Sequence, residues 1–234
     1  MGDLESPQLA LGFPRAPNTD MDSFLIGGNG QLVDRLLKSI SEPGSTWLYI
    51  WGGEGVGKTH LLLAACQKAE EAGQTVCYLS ARELAGNAPS ALLEFSGADY
   101  IALDDIQVLA GAPEWEESLF HFYNRLREKS AGLIISADCS FRRLNILLKD
   151  LSSRLAALEA YQIALLTEAE KADFLKMRAH QRGFALNGEV IAYILSRAER
   201  HVSALQQVIE QLDLRSLQEK RLITVPFVKK VMGW

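Results

Sequence analysis

Eight consecutive residues, Gly52-Gly53-Glu54-Gly55-Val56-Gly57-Lys58-Thr59, fit the pattern Gly-x-x-x-x-Gly-Lys-Ser/Thr and commit the chain to a strand–loop–helix unit. Upstream, Thr46-Trp47-Leu48-Tyr49-Ile50-Trp51 is a β-branched and aromatic run with the composition of a buried strand. Downstream, Leu61, Leu62, Ala65 and Cys66 recur at helical spacing. In that context the glycines let backbone N–H groups converge on phosphate oxygens, and the helix start adds its positive dipole end. Lys58 is placed to reach the β- and γ-phosphates and the Thr59 hydroxyl to hold Mg²⁺. A glycine-rich turn that binds nothing would need neither flank.

The rest of the chain supplies a setting for this unit. Residues 1–20 are rich in Pro and polar groups and read as a flexible tail. A helix follows Asn29, with Leu32, Val33, Leu36, Leu37 and Ile40 on one face, and ends near Ser41 before Pro43-Gly44. Further strands are expected at Val76–Leu79, Tyr100–Leu103, Leu133–Ile135 and Tyr161–Leu165. Between them lie a short helix from Pro89 to Phe95 and a long one opened by Pro113, carrying Trp115, Leu119, Phe122, Tyr123 and Leu126 towards the core. Near-continuous apolar strands alternating with helices predict an α/β fold, a five-stranded parallel sheet covered on both faces, over about residues 21–165. After Leu165 helical periodicity dominates, from a capping box at Thr167 and Glu170, with breaks at Gly183, Asn187-Gly188, Arg200-His201 and Pro226. A small all-helical domain is therefore expected over 166–234.

Bulk properties exclude several classes. Hydrophobic content of 48% and charged content of 23% are those of an ordinary globular protein. No apolar run approaches the roughly 20 residues that span a bilayer, and no secretory leader precedes the fold, so a cytoplasmic protein without a membrane role is expected. The start Met1-Gly2 through Ser6 formally fits a myristoylation pattern, in acidic context that argues against it. Cys66, Cys77 and Cys139 lack Cys-x-x-Cys spacing and read as buried thiols of a reducing compartment; His60, His121, His180 and His201 show no metal-ligand spacing. From Glu168 onwards there are 11 Lys+Arg against 8 Asp+Glu, or +3, and 13 against 21 before it, or -8. Neither part is basic enough to grip DNA by itself.

Three further features bear on chemistry. Asp104-Asp105 closes an apolar strand roughly 45 residues after the glycine loop, the place of the second phosphate-site signature. Asp104 is the expected Mg²⁺ ligand there, and Asp105 the residue that orients water. Ser136 and Asp138 follow the next strand, whose carboxyl end belongs beside the phosphates. Asp138 is then either a γ-phosphate sensor or an ordinary turn carboxylate.

The runs Gly55-Val56-Gly57-Lys58-Thr59-His60-Leu61-Leu62, Leu103-Asp104-Asp105-Ile106-Gln107, Ile135-Ser136-Ala137-Asp138 and Leu151-Ser152-Ser153-Arg154-Leu155 occur in this order before a helical tail. Together they resemble the AAA+ ATPase module of the bacterial replication initiator DnaA, from Phe24 to the end of the chain. That resemblance implies an AAA+ P-loop NTPase core with a helical lid, and ADP or ATP with Mg²⁺ as ligands. Residues 53–59 and His60 would line the nucleotide, with Phe24, Leu25 and Ile26 packing about the base; as sequence alone, those three are equally ordinary core residues. DnaA itself continues into a helix-turn-helix domain, and the chain stops where that would begin.

Gln8-Leu9-Ala10-Leu11-Gly12-Phe13 resembles the peptide by which bacterial replication proteins dock on the sliding clamp, the β subunit of DNA polymerase III. There Gln8 would anchor by hydrogen bonds, and Leu9, Leu11 and Phe13 would supply apolar contact. With the DnaA-like module, this is similar to the Hda family, regulatory inactivators of DnaA. The segments Leu119–Leu126 and Thr224–Lys229 look like that family too. The resemblance implies a negative regulator of replication initiation that meets DNA through the clamp and presents Arg154 in trans to DnaA, alone or as a homodimer or higher oligomer. Without it, Arg154 would read as a surface ion-pair residue. One departure stands out. Where such proteins usually carry a lid arginine facing the γ-phosphate, this chain has Ser203, too short and neutral for that role, with Arg200 nearby. Weak turnover of its own is therefore expected; the alternative is a DnaA-like or helicase-loader ATPase acting by its own hydrolysis.

Overall fold

A computed structural model describes residues 19–44, 46–199 and 201–234. The clamp-like peptide Gln8, Leu9, Leu11 and Phe13 lies outside the described residues, as does Arg200. After two 3₁₀ turns the elements run α1 (Gly30–Ser41), β1 (Leu48–Trp51), α2 (Lys58–Glu71), β2 (Val76–Ser80), α3 (Ala81–Leu84) and β3 (Tyr100–Asp104). They continue with α4 (Pro113–Lys129), β4 (Gly132–Ala137), α5 (Lys149–Ala156) and β5 (Glu159–Gln162), then α6 (Glu168–Gln181), α7 (Gly188–Arg197), α8 (Val202–Glu219) and α9 (Val225–Met232). The five strands form one all-parallel sheet in the order β2-β3-β4-β1-β5. Every carboxyl end therefore points to one edge, and β1, which feeds the glycine loop, lies between β4 and β5.

Strand alternation builds two cores. Tyr100 and Ala102 of β3 join Leu48, Ile50, Leu36, Leu61 and Leu62 on the α1/α2 face. Ile101 and Leu103 face the other way, with Tyr49, Leu119, Leu126, Leu151 and Leu155 of the α4/α5 face. Side chains of period two on a sheet buried on both sides produce this division. A third cluster, including Phe174, Leu175, Ile194, Leu205, Ile209 and Phe227, fills the interior of α6–α9. Each of those helices has a side-chain cap at its start: Thr167, Asn187, His201 and Thr224. At Thr167 the capping box is complete, with Glu170 N–H donating to Thr167 Oγ1 at 3.3 Å and Thr167 N–H donating to Glu170 Oε2 at 2.7 Å.

Sequence and structure differ in detail. Leu37 is 40% exposed, because at 100° per residue it falls at the edge of the stripe set by Leu32, Val33, Leu36 and Ile40. The last strand begins at Glu159 and ends at Gln162, displaced towards the amino terminus from the expected Tyr161–Leu165. Its ladder with β1 stops there, and Leu165 is 75% exposed. Cys139 is half-buried, not buried like Cys66 and Cys77. Pro226 opens α9 near its first position, where its missing N–H costs nothing.

Candidate nucleotide-binding site

The site starts from the abrupt turn between β1 and α2. Gly57, immediately before α2, has φ +103°, and a Cβ there would stand 3.2 Å from the Phe24 ring. Gly55 has φ +69°, and a Cβ would run into Ser203 Oγ at 2.5 Å. The left-handed backbone favours glycine at both positions, and at Gly55 a side chain would also collide with Ser203. Inside the loop the buried Lys58 ammonium donates to the carbonyls of Gly52 at 2.9 Å and Gly53 at 2.8 Å. The backbone is curled around that charge, in the arrangement a phosphate cradle needs.

The carboxylate of Asp104 collects hydroxyls from three elements. Thr59 of α2 donates to Oδ2 at 2.6 Å, Tyr78 of β2 donates to Oδ2 at 2.8 Å, and Ser136 of β4 donates to Oδ1. The Thr59 hydroxyl and an Asp104 oxygen thus sit side by side although 45 residues apart in sequence. Adjacent hydroxyl and carboxylate oxygens are a donor set suited to Mg²⁺, which keeps several waters and few protein ligands. The residues present therefore fit the metal expected from sequence.

Asp105 adopts a left-handed backbone, φ +59°. Its N–H donates to Ser136 Oγ at 2.9 Å, while its carboxylate accepts from Arg82 Nε at 2.7 Å and Gln107 Nε2 at 2.9 Å. Burial pushes this carboxyl up, but the hydrogen bonds from Gln107 and Arg82 and the Arg82 charge outweigh it and hold it below its ordinary value. The exposed Asp138 follows β4, with its N–H donating to Gln107 Oε1 at 3.2 Å.

These parts surround a cleft of about 820 Å³ between the sheet edge and the helices α6 and α8. Glu54, Gly55, Gly57, Lys58, Thr59 and His60 form one wall, with Arg82, Asp105, Gln107 and Asp138 opposite the loop. The helical tail contributes Phe174, Arg178, Val202, Ser203 and Gln206. A smaller cavity of about 40 Å³ is lined by Phe24, Leu25, Val56, Ala164 and Leu166, and shares Gly57, His60, Phe174, Arg178 and Val202 with the cleft. Ile26 lines neither and is 45% exposed. His60 is held with Nε2 2.9 Å from the Asp20 carbonyl oxygen and its ring 5.6 Å from that of Phe24; burial draws its pKa below the ordinary imidazole value.

Ser203 touches the loop directly, its N–H donating to the Gly55 carbonyl at 3.3 Å. The arginine that the tail does bring to the cleft is Arg178 on α6, 4% exposed, with its guanidinium carbon 5.3 Å from the Phe174 ring centroid. No sequence motif marks it. The only signal was the i, i+4 spacing of Phe174 and Arg178, common on any helix. Arg154 lies elsewhere: on α5 it is exposed, lines neither cavity, and rests 5.6 Å from the Tyr123 ring centroid.

A parallel sheet of order β2-β3-β4-β1-β5, a glycine loop after β1, paired aspartates after β3 and a helical lid over the cleft define an AAA+ P-loop protein. Comparison with known proteins narrows this. Residues 16–158 match the family model of the bacterial DnaA ATPase domain, and residues 168–232 match that of the Hda lid domain. The chain belongs to the DnaA-related AAA+ family. It is 34% identical to an uncharacterized protein of Haemophilus influenzae over 227 residues, 97% of this chain and 98% of that one. Among solved structures it resembles AMPPCP-bound DnaA from Aquifex aeolicus, at 26% identity and TM-score 0.75, covering 88% of this chain and 69% of that one. Domain III of Thermotoga maritima DnaA shares the fold at 21% identity and TM-score 0.84, with 94% and 98% covered. Among the described residues no helix is long and apolar enough to cross a membrane.

Proposed function

We propose that this protein is a nucleotide-bound regulator of DnaA, docked on the sliding clamp by Gln8, Leu9, Leu11 and Phe13, that presents Arg154 to the ATP of a neighbouring DnaA molecule. DnaA–ATP is thereby converted to DnaA–ADP and initiation is restrained. The observation that carries this reading is the position of Arg154: exposed, outside its own cleft, on a helix whose other face is buried by Leu151 and Leu155. An arginine delivered in trans offsets charge on the transferring phosphoryl group and is worth about 10³-fold or more in hydrolysis rate.

In this reading the chain's own cleft holds an adenine nucleotide as a clasp between core and lid. Gly55, Lys58 and Thr59 cradle its phosphates, Thr59 and Asp104 hold Mg²⁺, and Phe174, Arg178 and Ser203 close over it from the lid. A bound metal would neutralise charge between the phosphates. Asp105, fastened by Arg82 and Gln107, is a poor acceptor for a proton from water, which accords with slow turnover here. The second reading, an ATPase working by its own hydrolysis, draws on the complete set Lys58, Thr59, Asp104 and Asp105. Arg154→Ala decides between them. It is expected to keep nucleotide and clamp binding yet fail to stimulate hydrolysis by DnaA; full stimulation by the variant would overturn the assignment.

A further inference from the structure

Glu116, in the first turn of α4, is 0% exposed although it carries a carboxylate. Burying such a group is costly unless hydrogen bonds replace its water. Here three backbone amides do so. Gly111 N–H donates to Oε1 at 2.7 Å, Leu147 N–H to Oε2 at 2.8 Å, and Leu148 N–H to Oε2 at 2.7 Å. Gly111 belongs to the segment that follows Asp105, whereas Leu147 and Leu148 end the segment between β4 and α5. Leu148 is the residue that caps α5, and its side chain makes no capping hydrogen bond. One carboxylate thus fixes where α5 begins. Two turns further along α4, Tyr123 faces Arg154, so the same helix holds α5 at its start and beneath the arginine.

We infer that Glu116 is a positioning residue for Arg154: it sets the register and direction of α5 so that the guanidinium projects at a fixed angle from this surface. The inference rests on the reading of Arg154 as the group offered to a partner's nucleotide. Misplacement of a reacting group by about 1 Å costs on the order of a hundredfold in rate, so loosening this anchor should act on turnover rather than on binding.

The test uses the full chain with Glu116→Gln and Glu116→Ala, each alone and combined with Arg154→Ala. Glutamine preserves volume but turns an amide N–H₂ towards an N–H donor, so it remains informative if alanine fails to fold. The readouts are DnaA–ATP hydrolysis against concentration of this protein, ADP affinity, and mobility of a nitroxide attached at Arg154→Cys. Glu116→Gln should lower the maximal stimulated rate about tenfold or more, shift the half-saturating concentration and ADP affinity less than about twofold, and mobilise the nitroxide. Added to Arg154→Ala, it should cause no further loss. An unchanged maximal rate, or a loss that adds in full to that of Arg154→Ala, overturns the inference. Should Arg154→Ala itself stimulate normally, the finger reading fails; an unchanged nitroxide signal in Glu116→Gln overturns the positioning claim independently.

Discussion

Single residues carry the chemistry here through contacts that sequence spacing only half reveals. The Thr59–Asp104 contact ties the start of α2 to the end of β3, and the same carboxylate accepts from Tyr78 and Ser136. Asp104→Asn keeps the volume but replaces one oxygen by a donor, so at least one of those hydroxyls must turn to accept, and the charge facing Mg²⁺ is removed. Mg²⁺-dependent nucleotide affinity should fall about tenfold or more, a loss of at least ~1.4 kcal/mol, read by titrating ADP with and without Mg²⁺. His60 supplies a pH signature. Burial lowers its pKa in the folded state, so the unfolded chain binds more protons as pH falls below the ordinary imidazole value. Its contribution is present above that value and is lost as pH drops through it towards the depressed folded pKa. Melting curves should show destabilisation over that interval, reduced in His60→Gln; an identical acid dependence in the variant would count against it.

Elements were legible where periodicity and burial agree. The five strands, the face of α4 and the cap of α6 could be read from residues because each rests on local chemistry: apolar runs, Pro113, and Thr167 with Glu170. The end of β5 could not, since apolar character continues through Ile163, Ala164 and Leu165 while the register with β1 ends at Gln162. The loop, Asp104, Asp105 and Asp138 came together as their order suggests. Arg178 and Glu116 did not announce themselves, because their roles depend on segments far away in sequence that fold against them. At this scale α5 invites a test. Leu151 and Leu155 are its buried anchors, and Leu151→Ala should cost about 2–5 kcal/mol in chemical denaturation and weaken the stimulation attributed to Arg154. The amino-terminal segment is a separable element in the proposed function: deleting residues 1–13 should abolish clamp binding while leaving ADP affinity intact, as measured by surface capture on immobilised clamp.

At the scale of the whole molecule, the cleft lies where the sheet edge meets the lid, joined by Ser203 N–H on the Gly55 carbonyl. A nucleotide bound there would touch both the sheet domain and the lid and so couple their stability. Binding at a hundredfold excess over Kd adds about 2.7 kcal/mol to the folded state. With Ser203 in place of a lid arginine facing the γ-phosphate, ADP should raise the melting temperature at least as much as ATP; stabilisation by ATP alone would contradict the clasp. The central claim concerns hydrolysis in a partner and not in this cleft. Its most direct test is a reconstituted assay containing DnaA–ATP, DNA-loaded clamp and this protein, with each omitted in turn. The account predicts rapid hydrolysis only when all three are present, and its loss with Arg154→Ala; equal hydrolysis without the clamp, or with this protein alone, would contradict it.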